Sequence, residues 1–118
     1  MNFSHEPSKN RLYFISHPLH TYGVPGVNRA LVRRVERELD DMDIYYISPI
    51  SIIPPNTPEP KAADKCDCLL MACDGIVLCQ NWEKSKGCLH ERNFAEKWEL
   101  EIIEVEDEKH VHKEINSQ

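Results

Sequence analysis

Short apolar runs and helix-spaced apolar stripes take turns along this chain. The run "RLYFIS" (11–16) reads as a strand, closed by the Pro- and Gly-rich loop "HPLHTYGVPG" (17–26). Pro25 then opens a helix that runs to about Asp40. Val27, Leu31, Val35 and Leu39 form its inner stripe, and Arg29, Arg33, Arg34, Glu36 and Arg37 its wet side. "DIYYISPI" (43–50) is a second strand. "SIIPPNTPEP" (51–60) carries four prolines, which excludes helix and inner strand. A loop of that length suits a cover over a site.

Helix resumes near Lys61, where Cys66, Leu69, Leu70 and Cys73 fall at i, i+3, i+4 and i+7. "DGIVLCQ" (74–80) is a third strand, and its unbroken apolar run suggests burial on both faces. A third helix spans about 86–98, and "LEIIEV" (100–105) is a fourth strand. Strand and helix alternate throughout, which implies a mainly parallel sheet of four to five strands with helices on both faces. The boundaries are a flexible N-terminus over 1–10, one domain over 11–105 and a charged tail over 106–118, in which Val111 and Ile115 can form a short helix or edge strand.

Composition narrows the partners. A chain of 118 residues is one domain, long enough to bury a core. Its net charge of −6 argues against nucleic acid or an anionic membrane as the main partner. No signal peptide and no run of about 20 apolar residues is evident. Five cysteines, an odd number lying inside predicted elements, read as reduced thiols in a cytoplasmic protein.

In parallel sheets, ligands bind beyond the carboxyl ends of the strands. Those ends carry "SHPLHTYG", "SPISIIPP" and "QNWEKSKG". Next to the last of them, Glu91 lies three, four and seven positions before Phe94, Ala95 and Trp98, and three after Cys88. That spacing puts a carboxylate on an apolar stripe. It either leans outward or faces a cleft, where it can act as nucleophile or acid/base.

Ser85 is a plausible N-cap, and Gly87 lets a ligand approach the backbone. The segment from Trp82 to Gly87 is either an anion site at a helix N-terminus or a solvated loop. Asp67 lies off its helix's stripe and can be simply solvated; Asp74 can cap or bind backbone. His17 and His20 lie in the first rim loop, as ligand contacts or as polar surface. Cys66, Cys68, Cys73, Cys79, Cys88, His90, His110 and His112 lack the spacing of a zinc ribbon or finger, so no metal is expected. Neither a P-loop nor G-x-G-x-x-G is present, and no cofactor is expected.

"YFISHP", "YISPI" and "CDGIVLCQNWEKSKGCLHE" together resemble the nucleoside 2-deoxyribosyltransferase superfamily, and more closely its small bacterial and phage branch. The similarity covers about residues 11–104, and its most specific part is Cys-Asp opening a strand, then Trp-Glu-x-Ser-x-Gly, then Glu four residues after the Gly. The resemblance implies a flavodoxin-like or Rossmann-like three-layer sandwich, usually a homodimer or higher oligomer. It implies cleavage of the N-glycosidic bond of a nucleoside or nucleotide. Glu91 maps onto the nucleophile of the family's Gly-x-x-x-Glu segment, and Asp67 is the nearest match to the acidic residue that holds the sugar.

By the same resemblance, Ser85, Gly87 and His17 line a phosphate or ribose site. Ser16, Pro18, Trp82 and the 51–60 loop shape the pocket. The family's first motif commonly reads Tyr-Ile-Ser-Gly-Pro, with a Tyr that orients the Glu. Alignment on Pro18 puts Phe14 at the Tyr and His17 at the Gly, while Tyr13 is one residue off and expected on the other sheet face. Ser85 stands where transferases often carry Asp and is closer to the nucleotide-hydrolysing relatives. Nothing in the sequence marks a second-base site, so hydrolysis is expected over base transfer, with a catalytically weak nucleotide-binding protein as the alternative that Phe14 supports.

Overall fold

The computed structural model describes residues 2–18 and 25–106, without the side chains of 25–28. His20 in the first rim loop, the Val27 side chain, and His110, Val111, His112 and Ile115 in the tail lie outside the described residues.

Four strands form one parallel sheet in the order β2-β1-β3-β4. They are β1 (Leu12–Ser16), β2 (Tyr45–Ile47), β3 (Gly75–Leu78) and β4 (Glu101–Glu104). The helices between them are α1 (Pro25–Asp41), α3 (Glu59–Met71) and α4 (Lys86–Lys97). A single turn, α2 (Pro49–Ile52), follows β2, and a 3-10 turn (Trp82–Lys84) precedes α4. Strand order reverses between β1 and β3, the switch point at which open α/β sheets leave a crevice. This is the α/β layered fold anticipated from the strand–helix order.

Alternation along β1 divides the core in two. Tyr13 and Ile15 join Val32, Val35 and Leu39 of α1, together with Val77 and Ile103. Phe14 faces the opposite way, among Leu70, Ile76, Leu78 and Ala95 under α3 and α4. β3 is buried along its whole length because helices cover both its faces. Burying each of these large apolar side chains contributes about 1.5–3 kcal/mol, so the two faces together dominate the stability.

The amino-terminal ends of the strands are tied by Asp74, whose Oδ2 accepts the Leu12 N–H at 2.8 Å. Its own N–H donates to the Leu12 carbonyl, and its carbonyl accepts from Glu101. Gly75 follows for a steric reason: an added Cβ would come within 2.8 Å of the Tyr13 ring and 2.9 Å of the Glu101 carbonyl. Ahead of β1, Phe3 bridges Val105 in an antiparallel sense, and the Ser4 N–H donates to the Glu104 carbonyl.

Three expectations need correction. The inner stripe of α1 runs through Val32, Val35, Glu36 and Leu39, one residue later than the stripe expected through Leu31; Leu31 is only half-buried. Glu36 therefore points inward and is not on the wet side. Its Oε1 accepts from Arg33 Nη1 at 2.6 Å, which compensates the buried charge. The prolines of 51–60 do not exclude helix: Ser51 and Ile52 end α2, and Glu59 and Pro60 begin α3. Proline at the first turn of a helix has no N–H to waste there. Trp98, expected on the inner stripe of the last helix, is 51% exposed because α4 has ended at Lys97.

Candidate functional site

β1 ends at Ser16, in register with Leu78 of β3, and Ser16 projects to the same face as Phe14. That direction carries its hydroxyl to α4. Ser16 Oγ donates to Glu91 Oε1 at 2.6 Å, a short bond of the charge-assisted kind. From α3, the Cys66 thiol lies near the Glu91 carboxyl and favours its ionised form.

The α4 N-terminus is fixed by Ser85, whose buried Oγ accepts from the Cys88 N–H at 3.3 Å. Cys88, in the first turn of α4, is buried behind this cap. Three elements thus converge on one carboxylate.

Part of the Glu91 side chain stays accessible, while its carboxyl end is enclosed. Burial pushes its pKa up from 4.5 to about 7, against the opposing hydrogen bonds from Ser16 and Cys66. The negative charge of Asp67 raises it further, and His90 acts the other way. Burial, and then the charge of Glu91, pushes the Cys66 thiol up to about 12, so it remains a neutral donor. Burial likewise lifts Cys88 to about 11.

The structure brings Glu91, Asp67, Ser16 and Ser85 to one rim. Asp67 is half-buried on α3 and takes His90 Nε2 at 3.0 and 3.1 Å from its two oxygens. Phe14 is fully buried beneath them, two residues below Ser16 on the same face. Pro18 is buried at the strand exit.

Gly87 is exposed in the first turn of α4, and among the described residues an added Cβ there would meet only Ser85 Oγ, at 3.8 Å. Trp82 is anchored outward from this group: its Nε1 donates to Glu104 at 3.0 Å, and the Arg92 guanidinium lies 5.6 Å from its ring centroid.

His17 faces the other side. Its Nδ1 lies 3.2 Å from the Pro18 carbonyl, and burial lowers its pKa below the ordinary imidazole range. The charges that act on it, Glu36 and Arg29, belong to α1 and not to the Ser85–Gly87 turn. Tyr13 is also on the α1 side; its hydroxyl donates to Glu101 at 2.7 Å and accepts from the Ser8 N–H. Among the described residues, Ser48 Oγ at the end of β2 is a buried hydroxyl without a hydrogen-bond partner.

Sequence reasoning missed three partners. Cys66 reads as part of an apolar stripe, and its neighbour Asp67 is the hint that this turn of α3 meets a polar site. Cys88 reads as core for the same reason. His90 has no periodic signal, because its role appears only when α3 and α4 pack side by side. The five cysteines are free. Among the described residues, no group of three or more His, Cys, Asp or Glu side chains is placed to hold a metal, and no helix is long and apolar enough to cross a membrane.

Together these features define an α/β protein with a carboxylate-centred site at the carboxyl edge of its sheet. Residues 12–104 match the family described as "Domain of unknown function (DUF4406)", and the chain belongs to that family. No curated protein matches it. The solved structure of a 2-desoxiribosyltransferase from Leishmania mexicana is similar in fold, with a TM-score of 0.61 and 19% identity. The match covers 78% of this chain and 61% of that one, so this chain spans less than two thirds of the other's length.

The enclosed carboxyl has a consequence for stability. A carboxyl whose pKa is higher folded than unfolded binds more protons in the native state, so its ionisation weakens the fold as pH rises from about 4.5 through about 7. Glu91→Gln keeps an oxygen for Ser16 and removes that charge. The variant should therefore gain about 2–3 kcal/mol relative to wild type between pH 4 and pH 8, read from urea midpoints at each pH. A difference that stays constant with pH contradicts the enclosed carboxyl.

Proposed function

We propose that the protein cleaves the N-glycosidic bond of a nucleoside or nucleotide, with Glu91 as the nucleophile. The observation that carries this reading is the Ser16–Glu91 hydrogen bond at the sheet's switch point. Resemblance to the nucleoside 2-deoxyribosyltransferase superfamily, in its small bacterial and phage branch, supports it, as does the likeness in fold to a 2-desoxiribosyltransferase.

Breaking the bond between C1′ and the base nitrogen leaves positive charge at C1′. A carboxylate facing that carbon stabilises the charge and then bonds to it, as in retaining glycosidases. The base departs with the bonding pair and takes up a proton. The glycosyl ester on Glu91 is then resolved by water, which regenerates the carboxylate and frees the sugar.

Ser16 holds one carboxylate oxygen and limits rotation of the group, the task a tyrosine performs in the family pattern. Cys66 adds a second donor. Both stabilise the ionised form that attacks. In this reading Asp67 holds the sugar and the Ser85–Gly87 turn meets a ribose or 5′-phosphate. Phe14 and Pro18 form the apolar floor and wall near Ser16, and Trp82 steadies the approach to α4. In this reading the protein is an intracellular enzyme needing no metal or cofactor, it works as a homodimer or higher oligomer, and hydrolysis is favoured over base transfer.

The other reading is a catalytically weak nucleotide-binding protein. Phe14 favours it, because the only tyrosine hydroxyl of β1 is committed to Glu101 on the opposite face. A panel of nucleosides and their 5′-monophosphates, with free base read by chromatography, separates the two. Wild type should release base at a rate that rises with pH around a midpoint of about 7, as Glu91 ionises. Glu91→Gln should lose at least ~10³-fold of that rate while staying folded. Calorimetric binding without base release would establish the weak binder.

Gly87 supplies an independent check. Glycine in a helix costs about 0.5–1 kcal/mol relative to alanine, and among the described residues no atom crowds a Cβ here. Gly87→Ala should therefore raise stability by that amount, read from thermal melts, while weakening nucleotide affinity in calorimetry. Unchanged affinity would remove this turn from the site.

A further inference from the structure

β4 is an outer strand of the sheet, and residues 2–5 run antiparallel along its free edge, with Phe3 bridging Val105. The Ser4 N–H donates to the Glu104 carbonyl at 2.7 Å, and Ser4 Oγ accepts from the Glu104 N–H at 2.9 Å. The Glu106 N–H donates to the Asn2 carbonyl at 3.0 Å, and His5 Nε2 lies 2.7 Å from Glu101 Oε2. Both main-chain groups of Glu104 are thereby satisfied at an edge that would otherwise be open.

The Glu104 side chain reaches a different element. Alternation along β4 sends Ile103 and Val105 toward α1, and Ile102 and Glu104 toward α4. Glu104 Oε1 accepts from Trp82 Nε1 at 3.0 Å. Trp82 is itself a junction. Its N–H donates to the Cys79 carbonyl just beyond β3, and its carbonyl accepts from the Ser85 N–H at 3.1 Å. The Arg92 guanidinium, one residue after Glu91 on α4, lies 5.6 Å from its ring centroid. Ser85 in turn caps α4 by accepting from the Cys88 N–H. Hydrogen bonds therefore run without a break from the N-terminal segment, through Glu104 and Trp82, to the α4 cap.

Local backbone preference does not hold this turn by itself. Asn81, immediately before Trp82, sits at φ 68°, a left-handed conformation less stable than extended backbone, so the turn depends on contacts that fix it. A half-buried indole N–H needs an acceptor, and any carbonyl or water would serve. A carboxylate makes the shorter and stronger bond, which suits a part that must keep its position.

We infer that Glu104 is a positioning residue: anchored by the N-terminal segment, it fixes the Trp82 indole and, through it, the Ser85–Gly87 turn at the rim of the site. The consequence for substrate binding rests on the nucleoside or nucleotide reading; the coupling between the sheet edge and the turn does not.

The coupling is read without substrate. The chain has two tryptophans, and the indole N–H signal of Trp82 in nitrogen-15 NMR is assigned by its loss in Trp82→Phe. In Glu104→Ala that signal should move and exchange faster with solvent. The Ser85 and Cys88 amides should exchange at least ~10-fold faster, while the amides of β3 keep their wild-type rates. Glu104→Gln retains an acceptor oxygen and should stay close to wild type on all three readings. Ser4→Pro removes the Ser4 N–H and hydroxyl together in the full chain, and should shift the Trp82 signal in the same direction as Glu104→Ala.

An unmoved indole signal in Glu104→Ala overturns the inference. So does faster exchange in β3 equal to that in the turn, which is the mark of general loosening, and so does Glu104→Gln behaving as Glu104→Ala. A Trp82 signal unaffected by Ser4→Pro overturns the part assigned to the N-terminal segment. Base release from deoxynucleoside 5′-monophosphates, measured on the same proteins, keeps the two proposals apart. In Glu104→Ala the KM should rise about tenfold with kcat within about twofold of wild type, because Glu91 keeps its bond to Ser16. Exchange changes without base release from any of the proteins retain the coupling and reject the glycosidic reading; normal base release with an undisturbed turn rejects the coupling alone.

Discussion

The Glu91 carboxyl sits where burial disfavours its charge, and the Ser16 hydroxyl 2.6 Å away favours it. Those opposing pulls leave a group that titrates near neutral pH, at about 7. The chain buries a second carboxylate, Glu36, on the other side of the sheet, and the contrast between them is instructive. Glu36 faces the Arg33 guanidinium at 2.6 Å, so its charge is compensated. Glu91 faces a hydroxyl and a thiol, which orient a carboxyl without neutralising it. An inward carboxylate is thus a structural ion pair on one face and, on the other, the group to which the proposed function assigns the chemistry.

The sheet makes this arrangement possible. Alternation along β1 sends Tyr13 and Ile15 to α1 and sends Phe14 and Ser16 to α3 and α4. Moving the register by one residue would exchange Ser16 for Ile15 or His17 beneath Glu91 and remove the hydrogen bond. Asp74 holds the strand ends in that register from below, and Gly75 leaves room for the Tyr13 ring beside it. Distant features at the amino-terminal edge therefore bear on the geometry of the opposite rim.

The layer order was legible because it is a periodic signal of long, continuous elements; the same kind of signal put Glu91 on an apolar stripe and left open whether it leaned outward. Tyr13 and Phe14 were assigned to opposite faces by the same period of two. Legibility failed where one residue broke a period. Glu36 makes the true stripe of α1 look polar, and a cleaner apolar stripe through Leu31 displaced it. Prolines suggested an uninterrupted loop over 51–60, although a proline at the start of a turn permits helix and α2 and α3 use that allowance. Cys66 and His90 could not be read from either helix alone. Each meets its partner only through the packing of α3 against α4, a contact between segments more than twenty residues apart.

Covalent trapping of the glycosyl group tests the central claim most directly. Wild-type protein is mixed with a deoxynucleoside substrate, quenched rapidly with acid, digested and analysed by mass spectrometry. A sugar bound through an ester on the peptide that contains Glu91, absent from Glu91→Gln, is the result the enclosed carboxylate predicts. Base release with the sugar on another residue, or with no adduct while Glu91→Gln remains fully active, would contradict it.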